Sequence, residues 1–248
     1  MERDQYEQTY RFEDWHWWFA GRHRLTNALF ERWIGGDRDQ RILDVGCGTG
    51  GNLFFLERWG RVIGLDLKAL PLSLARSRQV SGLVQASVVA LPFPGESFSL
   101  ITAFDVLYHR WIEDDRQAIR EFYRLIRPGG WLLVTDSALP FLWSPHDELY
   151  YARQRYMLPE IQAKLSRAGF QPYVCSYANT LLLPFTMAHR LLKRWFSLSG
   201  RSDLRDLPAW LNRLLIAIRD LEVAWIKQGG KFPCGSSLVC LAQKPLVE

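Results

Sequence analysis

Residues 42–53, ILDVGCGTGGNL, place Gly46, Gly48, Gly50 and Gly51 directly behind a short apolar run. A strand that must turn at once into a helix needs such residues, because glycine accepts positive φ and lets backbone N–H groups come close to a ligand. About twenty residues past the first glycine, at the end of a second apolar run, VIGLDL, stands Asp66. Strand, glycine turn, helix, strand and acid, in that order, predict an α/β sheet that binds a nucleoside-containing cofactor.

The flanking sequence repeats the alternation. Residues 41–45, 61–65, 99–104 and 131–135 are apolar runs suited to buried parallel strands, and helical patterns lie between them at 51–59, 70–80 and 114–126. This order predicts a doubly wound, mostly parallel sheet with helices on both faces. RPGG at 127–130 reads as a helix stop and turn. A helix at 159–168, a strand at 170–178, amphipathic patterns at 185–198 and 208–226 and a last strand, SSLVCLAQK, complete the chain. The expected organisation is an N-terminal helical lid over 1–36, a binding core over 37–180, an amphipathic helical insertion over 181–230 and a strand returning to the sheet within 231–248.

Gly46, Gly48 and Gly51 also satisfy the GxGxxG pattern of dinucleotide binders. Asp44 separates the options: an acid ahead of the first glycine repels a pyrophosphate but holds a cationic amino group, directly or through water. Asp44-Val45-Gly46-Cys47-Gly48-Thr49-Gly50 resembles the first motif, E/D-x-G-x-G-x-G, of the class I S-adenosylmethionine (SAM) methyltransferases. ALPFPGESFSLITAFDVLYH and AIREFYRLIRPGGWLLVT are similar to later motifs of the same group, so the resemblance covers residues 40–136. It implies a Rossmann-like core in which Asp44 orients the amino-acid end of SAM, the backbone of Gly46, Cys47, Gly48 and Gly50 surrounds it, Asp66 accepts from the ribose hydroxyls and Leu67 packs on adenine. Many relatives carry an acid before the LPF loop that meets the adenine amine. Here Ser87 stands in that place, followed by Val88, and a hydroxyl still accepts the bond.

Methyl transfer needs an aligned nucleophile and, for some acceptors, a base. His109 in FDVLYH is the base candidate, at the carboxyl edge of the predicted fourth strand; Phe104 and Asp105 border the cofactor and Tyr108 faces the substrate. SPHDELYYARQRY, residues 144–156, adds His146, Asp147, Tyr151 and Arg155 as substrate-binding candidates, with Arg153 and Arg155 suited to a phosphate or carboxylate. The same tyrosines and charges equally suit a helix packed on the sheet. No metal cluster is expected.

DWHWWFAGRHR, residues 14–24, reads as a lid helix on which Trp15, Trp18, Phe19 and Arg22 share a face. Trp18 would cover the cofactor while Arg22 pairs with its carboxylate. HWWF-x-GR together with LPAWLNRLL resembles a bacterial and archaeal subgroup of these enzymes. Over 185–198, Phe185, Ala188, Leu191, Leu192 and Trp195 oppose His189, Arg190, Lys193 and Arg194, a pattern that fits either a lid or peripheral contact with a membrane surface. Trp210, Leu211, Leu214, Leu215, Ile218, Leu221 and Trp225 form a second apolar stripe, expected to pack on the first.

A net charge of +5 is too diffuse to predict a nucleic-acid partner. The four cysteines lack metal or disulfide spacing, and the polar start is no secretory signal, so a cytoplasmic location is expected, with the inner membrane face as a docking alternative. The functional expectation is a SAM-dependent methyltransferase for a small-molecule or lipid-linked acceptor, yielding S-adenosylhomocysteine. SAM use without methyl transfer, an NAD-dependent dehydrogenase and a non-catalytic SAM-binding partner are the alternatives.

Overall fold

The computed structural model describes residues 2–35, 39–80, 82–188, 204 and 206–246. Its strands are β1 (Gln40–Val45), β2 (Gly60–Asp66), β3 (Leu83–Gln85), β4 (Phe98–Phe104), β5 (Ile126–Ser137), β6 (Gln171–Ala178) and β7 (Ser237–Gln243). They form one sheet in the order β3-β2-β1-β4-β5-β7-β6. Only β7, among the described strands, runs against the others, pairing antiparallel with both β5 and β6. The helices are α1 (Arg3–Phe12), α2 (Trp17–Leu29), α3 (Gly51–Leu56), α4 (Ala69–Ser77), α5 (Asp115–Leu125), α6 (Pro145–Leu149), α7 (Leu158–Arg167) and α8 (Ala209–Lys227).

Every residue of β4 is buried, as expected of a strand covered on both faces. On α5 the buried positions Ala118, Ile119, Phe122 and Leu125 recur at helical spacing, and Asp114 caps the helix by accepting the Arg116 N–H at 2.9 Å. Strand order reverses between β1 and β4, which opens a crevice at their carboxyl ends where open α/β sheets bind ligands. The RPGG turn differs from expectation. The helix does stop at Leu125, but the four residues already belong to β5, with Gly129 at φ 77° and a register shift opposite Phe98 and Leu100. A bulge absorbs the glycines, so the strand begins early.

The aromatic lid is also built differently from the single helical face expected. Its helix breaks between α1 and α2, where the His16 ring caps α2 by accepting the Trp18 N–H at 3.4 Å. Trp15 therefore lies off the helix, its indole donating to the Arg11 carbonyl at 3.1 Å. Trp17 and Trp18 stay together, edge to face at 5.7 Å.

α8 lies against α2, and it too departs from expectation. Trp210, Leu214, Leu221 and Trp225 are exposed, whereas Asn212, Arg219, Glu222, Val223 and Ile226 are buried. Hydrogen bonding explains the rotation. Asn212 accepts the Trp17 N–H at 2.8 Å and donates to the Trp15 carbonyl at 3.0 Å, bridging the α1–α2 break. Glu222 pairs with Arg219 and accepts the N–H groups of Asn179 and Leu181, and Arg219 lies so close to Gly21 that a Cβ there would sit 2.8 Å from Nε. Buried backbone donors must be satisfied, and that need outweighs the apolar stripe. Of the amphipathic pattern at 185–198, residues 189–198 lie outside the described residues; 183–188 are helical. Among the described residues no helix is long and apolar enough to cross a membrane.

Candidate functional site

The crevice between β1 and β4 opens into a cavity of about 470 Å³ roofed by α1, α2 and the start of α8. Its floor is the glycine turn. Gly46 takes φ 67°, and a Cβ there would meet Val106 Cγ2 at 2.5 Å, so only glycine lets the loop after β4 close over the turn. Asp66 accepts the Gly48 N–H at 3.0 Å and the Lys68 N–H at 2.9 Å, which fixes its carboxylate at the cavity edge. Burial raises its pKa, against the pull of those amides. Asp44 lies beneath the turn, outside the lining. Its Oδ1 accepts the Thr102 hydroxyl at 2.6 Å, while Oδ2 is buried without a partner among the described residues. Burial pushes Asp44 up to about 7, more than Thr102 and Arg22 draw it down.

Around this floor the lining includes Gly46, Cys47, Gly48, Leu67, Ser87, Val88, Phe104 and Asp105. Gly50 does not reach it; at φ 89° it serves as the N-cap of α3. Arg22 enters from α2, donating to Asp105 at 2.9 Å and Asn52 at 3.2 Å. Its guanidinium lies over the rings of Phe19 and Phe104, 5.2 and 5.1 Å from their centroids, and its Nε is buried without a partner among the described residues. Trp18 also lines the cavity.

Apolar and aromatic side chains complete the lining, Trp17, Trp111, Tyr150, Leu182, Phe185, Leu204 and Leu215, together with Tyr108, His109 and His146. His109 stacks on Tyr108 at 4.4 Å, and burial pushes its pKa down to about 4 despite hydrogen bonds to the backbone at Tyr151 and Tyr150. Its Nδ1 is buried and unpartnered among the described residues, and so low a pKa keeps the ring neutral near pH 7.

The charged group expected here to hold a substrate anion is instead occupied internally. Arg155 reaches the lining but spends its donors on Asp147, at 2.7 and 2.8 Å, and on the Ala138 carbonyl, at 2.9 Å. Asp147 lies behind it, buried. Arg153 pairs with Asp115 at 3.2 Å, and Tyr151 lies outside the cavity, its hydroxyl bonded to Glu2 and its ring stacked on Trp111 at 5.7 Å. Two buried charges facing each other lower their joint desolvation cost, which the sequence pattern alone does not show.

Residues 43–134 match the family model described as a methyltransferase domain. The malonyl-[acyl-carrier protein] O-methyltransferase of Enterobacter lignolyticus is 31% identical over 220 residues, 85% of this chain and 84% of that protein. The chain belongs to the class I SAM-dependent methyltransferases. A ubiquinone/menaquinone biosynthesis C-methyltransferase of Pectobacterium carotovorum is 34% identical over 166 residues, 62% of this chain and 65% of its own. Among solved structures, the Haemonchus contortus phosphoethanolamine N-methyltransferase 2 in complex with SAM shares the fold, with a TM-score of 0.59 at 19% identity, over 88% of this chain and 52% of that one. Bacillus subtilis YcgJ does so with a TM-score of 0.57 at 20% identity, over 92% and 100%.

The residues of this methyltransferase fit SAM, its cofactor. The Asp66 carboxylate keeps lone pairs for a diol, the Arg22 Nε, without a partner among the described residues, calls for an anion, and Asp44 Oδ2, likewise without a described partner, adds negative charge beneath the turn. Sequence reasoning missed Glu13, Asn52, Trp17, Trp111 and Leu215, which line the cavity from other parts of the chain. Asn52 stands one position past the glycine turn, Trp17 inside the lid motif, where helical spacing turned it off the shared face, and Leu215 in the second apolar stripe; for Glu13 and Trp111 there was no signal.

Proposed function

We propose that this methyltransferase acts on an uncharged acceptor carrying an apolar tail, with its nucleophile placed beside His109. The observation that carries this reading is the state of the cations lining the cavity: Arg22 faces Asp105, Arg155 faces Asp147, and Lys68 is exposed on the Trp111 ring at 4.2 Å. An anionic acceptor would find both arginines already paired and only the exposed Lys68 without a carboxylate partner among the described residues, whereas a hydrocarbon gains from the tryptophan and leucine wall.

When bound, SAM supplies an electrophilic methyl group on a sulfonium. Asp66, Asp44 and Arg22 bind and orient it, Trp17 and Trp18 exclude water, and Tyr108 and His146 border the acceptor. His109 Nδ1 accepts a hydrogen bond from the acceptor's hydroxyl. A nitrogen this weakly basic takes the proton only as the new bond forms.

Phe185 both lines the cavity and is 72% exposed, with Leu181 and Met187 beside it and Trp210 and Leu214 exposed on α8. This supports uptake of the acceptor from a lipid surface by a cytoplasmic enzyme, a finer reading of the lipid-linked class suggested by the quinone-pathway relative.

The test is methyl-labelled SAM with a series of 4-alkylphenols and of fatty acids, the product nucleoside read by mass spectrometry. S-Adenosylhomocysteine formation that rises with phenol chain length is expected. Labelling of the carboxylates alone would overturn the neutral-acceptor reading.

A further inference from the structure

Glu13 lies in the turn after α1, a segment that the motif-based reading of the site did not touch, and yet it is buried against the glycine turn. Its carboxylate accepts the Thr49 hydroxyl at 2.8 Å and a hydrogen bond from the Gly51 backbone. A Cβ at residue 51 would lie 2.5 Å from the Glu13 Cδ, so the last glycine of GCGTGG is small because this carboxylate occupies the space above it. Arg78, just past α4, holds the arrangement from the other side: it pairs with Glu13 at 2.8 Å and Asp14 at 2.8 Å, donates to the carbonyls of Thr49 at 3.1 Å and Tyr10 at 2.8 Å, and stacks on the Tyr10 ring at 4.2 Å.

The amides that open the helix behind a first glycine turn are the ones a dinucleotide uses for its pyrophosphate. In this chain a carboxylate of the lid already sits against the first of them, at Gly51. We propose that Glu13 is a specificity-determining residue of the cofactor site: by filling the anion position at the start of α3 when the lid is closed, it turns away nucleotides that carry phosphate and leaves the site to SAM. The proposal rests on SAM being the cofactor, and it accounts for how a turn that also satisfies GxGxxG is kept from dinucleotides. Asp44 and Asp66 add negative charge to the same cleft but lie to either side of these amides, under the turn and at the ribose edge. Glu13 alone among the three meets Thr49 and Gly51.

The experiment is calorimetric titration of wild type, Glu13→Gln and Glu13→Ala with S-adenosylhomocysteine, and displacement of that ligand by ADP, which keeps the adenosine and adds the phosphates. Burial lifts Glu13 to about 7, so titrations at pH 8 keep it ionised. The ratio of the two dissociation constants separates specificity from a general loosening of the lid, which weakens both ligands together. The expected result is a fall of at least tenfold in Kd(ADP)/Kd(S-adenosylhomocysteine) in Glu13→Ala, with a shift in the same direction in Glu13→Gln. A ratio that falls by less than tenfold in Glu13→Ala, or that does not fall in Glu13→Gln, overturns the proposal. Failure of the wild type to bind S-adenosylhomocysteine would instead strike at the cofactor reading itself.

Discussion

On the proposed function the cavity lining divides into a cofactor end and an acceptor end, and the two are made in opposite ways. The cofactor end is built largely from the carboxyl edges of β1, β2 and β4 and the turns that follow them, so most of its residues fall between Asp44 and His109. The acceptor end is assembled from Trp17, Trp111, Tyr150, Leu182 and Leu215, held in place by bonds such as Asn212 to Trp15 and Trp17 that span about 195 residues. A sheet edge confines a ligand's polar groups with backbone geometry, and that geometry tolerates little change. A wall of helix faces confines by shape, and shape can be altered one side chain at a time. On that proposal the first end fixes the cofactor and the second selects the acceptor.

If the ends are separable, substitutions should act on one ligand and spare the other. The largest effect is expected from Asp66→Ala, which removes the carboxylate facing the ribose: affinity for S-adenosylhomocysteine should fall about a hundredfold or more by calorimetry, the scale of two hydrogen bonds to a charged group. Leu215→Asp should raise the KM for an alkylphenol acceptor by about thirtyfold, through an unpaired charge in an apolar wall, with cofactor affinity within about twofold of wild type. An equal loss of both ligands would break the division between the ends.

A pH effect should belong to the cofactor end alone. Asp44 must ionise to hold an amino group, and burial, only partly offset by Thr102 and Arg22 and reinforced by Asp66 and Glu13, lifts its pKa to about 7. The bound form is thus the deprotonated one, so affinity for S-adenosylhomocysteine should be near full at pH 8 and above, fall through pH 7 and be about tenfold lower by pH 6, with proton release visible in buffers of different ionisation heat. Acceptor binding should not follow, because His109, at about 4, stays neutral across that range. Arg22→Ala is expected to cost about tenfold in cofactor affinity, near 1.5 kcal/mol, the scale of one charge-assisted pair. The smallest change is Asn212→Ala, which unstitches the α1–α2 break. It should lower stability in a thermal or urea melt by about 1 kcal/mol and weaken the acceptor more than the cofactor.

The same division decides what could be read from the sequence. The glycine turn, Asp66, the order of strands and the α5 face were legible, because each depends on residues close together and on a single period. DWHWWFAGRHR was legible as a lid but not as a broken helix, since the break depends on His16 folding back as a cap and on Asn212 far along the chain. The rotation of α8 was hidden for a similar reason. Hydrophobic spacing pointed Trp210, Leu214, Leu221 and Trp225 inward, but Glu222 is needed by the backbone of Asn179 and Leu181, and a helix turns to satisfy buried donors. In 144–156 the charges were visible and their pairing was not, because Arg155 and Asp147 meet only after the chain folds back past α6.

The antiparallel β7 carries one more consequence. It is the last strand in the chain, and yet it lies between β5 and β6, which have no other pairing with each other. During synthesis the glycine turn can form as soon as β1, β2 and β4 have emerged, whereas β6 has no place in the sheet until some sixty further residues are made. The wall that α8 builds waits on nearly the same stretch of chain. In order of synthesis the glycine turn thus comes well before the last wall of the proposed acceptor end.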